Sequence, residues 1–71
     1  NRAARIDYWK GVFVSSDDRL ERMQLVATDM DLPSGARGYA RKQIAELRAM
    51  RELARERIEL LEQGLEALED D

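Results

Sequence analysis

The chain has 71 residues, a formal net charge of −3, and no cysteine or histidine. That length holds one small domain, and the missing residue types exclude a disulfide framework, the usual zinc sites and His- or Cys-based catalysis. Charged residues make up 38% with only four Gly and one Pro, the composition of long helices and coiled coils.

In chain order, residues 1–14 read as a short helix with Ile6, Trp9 and Phe13 on one face and Gly11 weakening it. The one β-branched run, Gly11 to Ser15, is too short to make a sheet. Ser15 or Ser16 then stands as an N-cap, with Asp17 and Asp18 at the positive end of a second helix over 16–31. Its apolar residues Leu20, Met23, Ala27 and Met30 recur at 3-4-3 spacing. Together with Ile6, Trp9 and Phe13 they form the expected core.

The stretch LPSGARG, residues 32–38, holds Pro33, Gly35 and Gly38 and reads as the loop. A long helix is expected over 39–69. Ala40, Ile44, Leu47, Ala54, Ile58, Leu61, Leu65 and Leu68 form a heptad seam along it, interrupted only by Arg51. Met50, Leu53 and Leu60 widen the stripe on one flank. A charge at a seam position sets register or partner choice at some cost in stability. The expected fold class is therefore all-α: a helical hairpin with a long, coiled-coil-like C-terminal helix and a short N-terminal helix, all in one module over 1–71.

A helix over 16–31 folded back on the long helix covers it only to about residue 54. The seam from Ile58 to Leu68 is then left without an intramolecular partner. Burying such side chains is worth about 1.5–3 kcal/mol each, so a second copy is expected on Ile44, Leu47, Arg51, Ala54, Ile58, Leu61, Leu65 and Leu68. Charge sharpens the expectation. Residues 37–57 carry seven basic and three acidic side chains, and residues 58–71 carry six acidic and none basic. A lone helix prefers the opposite polarity, so antiparallel packing against a second copy's long helix is expected.

No chemistry-bearing constellation stands out. Asp29 and Asp31 lack the following ligands and the sixth-position glycine of a calcium loop. The basic run from Arg37 to Arg57 is interleaved with Glu46, Glu52 and Glu56 and has no aromatic platform for nucleic acid. A helix-turn-helix across the loop is excluded by a turn that is too long and holds Pro and two Gly. No catalysis, metal or cofactor is expected. No apolar run approaches a membrane span, and cytoplasm is the default location.

The stretch Ala4 to Leu32 resembles a segment of phage small terminase subunits. The matching positions are Tyr8 and Trp9, Val12, then Asp18, Arg19, Leu20, Leu25 and Ala27, and finally Leu32. Asp31 stands where that family has Gly. The resemblance implies a DNA-packaging protein in the host cytoplasm without ATPase activity. Such a protein forms homo-oligomeric rings through central helices and is the partner of a large, ATP-hydrolysing subunit. Its viral-DNA-reading part lies outside these residues. A second similarity, of residues 39–68 to the C-terminal helices of PadR- and MerR-type regulators, implies instead the dimerisation arm of a transcriptional regulator.

Overall fold

A computed structural model describes residues 1–65, folded as two antiparallel helices, α1 (Arg2–Ala27) and α2 (Ser34–Glu62). The hairpin measures 48 × 16 × 16 Å, with a radius of gyration of 15.6 Å. A globular chain of this length would have a radius of about 11 Å, so the molecule is a rod. The all-α hairpin expected from composition and periodicity is the fold observed.

Its first half differs from expectation. One continuous 26-residue helix replaces the two over 1–14 and 16–31. Asn1, not Ser15 or Ser16, is the N-cap, its Oδ1 accepting from Ala4 N at 2.8 Å. Ser16 is buried in mid-helix. It continues the apolar spacing between Phe13 and Leu20, so Ile6, Trp9, Phe13, Ser16, Leu20, Met23 and Ala27 form one unbroken 3-4 seam. A small hydroxyl residue in a seam lets the facing helix approach closely, which outweighs its mediocre helix propensity. Gly11 lies on the outer surface, with nothing within 4 Å of where a Cβ would be.

The turn is residues 28–33, shorter than the loop expected over 32–38. Thr28 Oγ1 donates to Gln24 O at 3.0 Å at the end of α1, and Asp29 Oδ1 accepts from Asp31 N at 3.0 Å. These local bonds fold the chain back. Ala36 N and Arg37 N both donate to Pro33 O, so Gly35 and Gly38 fall inside the first turns of α2. Two glycines there cost about 1 kcal/mol each, which the long helix beyond them absorbs.

The far end of α2 also stops short of the expected residue 69. Gly64 has φ +72°. Leu65 N donates to Leu60 O at 2.9 Å and Gly64 N to Leu61 O at 3.2 Å. This pair of bonds with a left-handed glycine is the Schellman stop. Leu68 and the rest of residues 66–71 lie outside the described residues.

Candidate functional site

Three contacts fix how the helices face each other. Arg51 Nη1 donates to Asp17 Oδ1 at 2.6 Å, and Arg37 Nη1 to Met30 Sδ at 3.3 Å. At the open end the Arg2 guanidinium lies 3.3 Å from where a Cβ on Gly64 would be. This register places Ile6 across from Leu61, Trp9 from Ile58, Phe13 from Ala54, Ser16 from Arg51, Leu20 from Leu47, Met23 from Ile44 and Ala27 from Ala40. Bulky residues face small ones at two layers, as close packing of two helices requires.

From Ile44 to Leu61 the expected interface seam therefore lies against α1 within the chain. Leu61 is 2% exposed, and Ala54 and Ala40 are fully buried. Ile44, Leu47, Arg51 and Ile58 are half-buried. Among the described seam residues only Leu65 is exposed, at 62%. The correction follows from the length of α1: 26 residues, not 15, reach back along the whole of α2. Of the expected core, Leu20 is buried, while Ile6, Trp9, Phe13, Met23 and Ala27 are half-buried. Met30 is not core: at 74% exposed it sits in the turn.

The charge polarity of α2 also finds a counterpart within the hairpin. Because the helices are antiparallel, the C-terminal end of α2, which carries Glu59 and Glu62, lies at the same end of the hairpin as the positive N-terminal end of α1. Between the helices, Arg51 of α2 forms an ion pair with Asp17 of α1. On the outer surface of α2, Arg55 bridges Glu52 and Glu59. The hydrogen bond from Arg55 holds the Glu52 carboxyl below the usual Glu range, and the same bond raises the Arg55 guanidinium further above neutrality.

Beside the seam one flank carries apolar side chains, and Val14, Leu25, Met30, Tyr39 and Leu65 are further exposed apolar residues along the rod. Tyr8 and Val12 on α1, and Met50, Leu53 and Leu60 on α2, occupy positions next to the seam. In an antiparallel pair these positions border the same side of the hairpin. Tyr8 is 63% exposed, Met50 46% and Leu53 39%, whereas Val12 and Leu60 are half-buried. The Tyr8 ring stands edge-on to Trp9, with centroids 5.1 Å apart. Arg19 and Arg22 lie on the same flank towards the turn. In the sequence the α2 part of this flank shows as a widening of the stripe. Tyr8 and Val12 join it only once α1 is recognised as one helix in this register.

Among the described residues there is no cluster of three acids that could hold a metal ion, and no helix is long and apolar enough to cross a membrane. Asp29 turns its carboxylate onto the backbone of Asp31. No protein-family model, curated protein or solved structure matches the chain.

Proposed function

We propose that this chain is a non-catalytic helical hairpin that works by associating with further copies of itself. The observation that supports the reading is the apolar flank left on a rod too thin to bury a full core. Among the described residues no large side chain is fully buried, and a chain of this size gains much of its stability from association when its own core is small. The intramolecular seam makes the hairpin; the flank is what is left to join hairpins.

Within that reading, the resemblance of residues 4–32 to phage small terminase subunits suggests the context: the oligomeric core of a DNA-packaging assembly, with viral DNA and a large ATPase subunit as its partners. An arm of a PadR- or MerR-like regulator is the second reading, favoured by the long antiparallel hairpin. The two differ in stoichiometry. Native mass spectrometry is expected to show a defined oligomer; a ring of many subunits supports the packaging context, a dimer supports the regulator arm, and a monomer at all concentrations rejects both.

A further inference from the structure

A thioether and a guanidinium meet at the closed end of the hairpin. Met30 lies in the turn, and Arg37 lies in the first turns of α2. We propose that Met30 is a methionine oxidation site, with hydrogen peroxide as co-substrate, and that Arg37 is placed to hold the sulfoxide formed there. The inference is independent of the self-association reading.

Three observations carry it. The first is access. The chain has three methionines. Met30 is 74% exposed and Met50 46%, while Met23 is half-buried in the seam. Oxidation of a thioether follows its exposure to the oxidant, which puts Met30 first. The second is position. A sulfoxide is polar, so at Met23 it would place an unpaired polar group in the seam, whereas at Met30 it stands in the turn outside the packed layers. The third is the partner already in place. Arg37 Nη1 donates to Met30 Sδ at 3.3 Å, and the Nε–H of the same half-buried guanidinium is buried without a partner. A thioether sulfur is a weak acceptor. A sulfoxide oxygen is a strong one, and hydrogen bonds from a charged donor are roughly twice as strong as neutral ones. The step balances with peroxide alone. The sulfur lone pair attacks one peroxide oxygen, the S–O bond forms as the O–O bond breaks, and the proton of the transferred hydroxyl passes to the departing hydroxide as water. Sulfur loses two electrons and peroxide gains two. The product ties the turn to the start of α2 more firmly than the thioether does.

The test uses the whole chain and limiting hydrogen peroxide. Peptide mass spectrometry is expected to find Met30 sulfoxide accumulating about threefold or more faster than Met50 sulfoxide, with Met23 last. Oxidation at Met50 or Met23 that matches or outpaces Met30 overturns the site. The role of Arg37 is read in a Met50→Leu chain, which keeps Met30 as the accessible methionine. Oxidising it is expected to raise the thermal midpoint by about 2 °C or more, and adding Arg37→Gln is expected to abolish the rise. A midpoint that does not rise, or that rises equally in Arg37→Gln, overturns the role of Arg37. If Arg37→Gln does not fold, the guanidinium proton resonances of Arg37 in the Met50→Leu chain decide: a downfield shift on oxidation supports the contact, and unmoved resonances overturn it.

Discussion

Arg51 reaches across the hairpin to Asp17, Nη1 to Oδ1 at 2.6 Å, beside the buried hydroxyl of Ser16. Arg51 occupies a seam position that a leucine would fill in a plain coiled coil, and Ser16 across from it makes room for the guanidinium. Slipping either helix by one heptad would move Arg51 away from both. The pair therefore acts chiefly on register.

That role predicts an asymmetry. Asp17→Ala leaves a half-buried guanidinium without its partner and should lower stability by about 1 kcal/mol. Arg51→Leu should leave stability unchanged or raise it, because apolar replacement of a seam charge is often neutral or favourable. Denaturant unfolding of both variants checks this. An Arg51→Leu loss larger than that of Asp17→Ala would mean the arginine contributes to stability as well as register.

A continuous α1 makes a prediction at Gly11. If the helix runs through it, Gly11→Ala adds a methyl in open space and removes the entropy penalty of glycine, raising stability by about 0.5–1 kcal/mol. If the chain breaks there as two separate helices, the substitution has no reason to help, and an unchanged thermal midpoint contradicts the single helix.

Leu61 and Leu65 are consecutive residues of one seam in the sequence, yet they stand in different environments. Leu61→Ala empties a buried layer and should cost about 2–5 kcal/mol. Leu65→Ala, beyond the glycine stop, should cost well under half of that. Equal losses at the two positions would indicate that α2 runs straight through Gly64.

The Glu52–Arg55 contact sets a pH expectation. Because Arg55 depresses the Glu52 carboxyl, the contact is present above the ordinary Glu range and is lost as pH falls through the depressed value. Carbon chemical-shift titration should show Glu52 ionising at lower pH than a free glutamate. In Arg55→Gln the midpoint should return upward; no movement would mean the contact is not formed in solution.

The hairpin, its turn region and the α2 seam were legible from heptad spacing and the Pro/Gly cluster. The missed features share a physical cause: local signals were ambiguous between two structural roles. Ser16 followed by two aspartates has the pattern of a helix start, and only the spacing from Phe13 to Leu20 across it reveals a seam residue. Gly64 is the ordinary signal of a helix end, but Leu65 and Leu68 keep the heptad beat going past it. Both errors shortened α1 or lengthened α2, and together they left Ile58 and Leu61 without the cover that α1 gives them. The flank was half visible, because Met50, Leu53 and Leu60 could be seen beside the seam, while Tyr8 and Val12 depended on the register.

The central claim is that the folded hairpin associates with its own kind, and the concentration dependence of thermal unfolding tests it most directly. Association of the folded chain alone stabilises it by mass action. Circular dichroism melts over a hundredfold range of protein concentration should therefore give a thermal midpoint that climbs steadily with concentration. A midpoint that stays constant across that range, with the helical signal intact at the lowest concentration, would show a hairpin that stands alone and contradict the account.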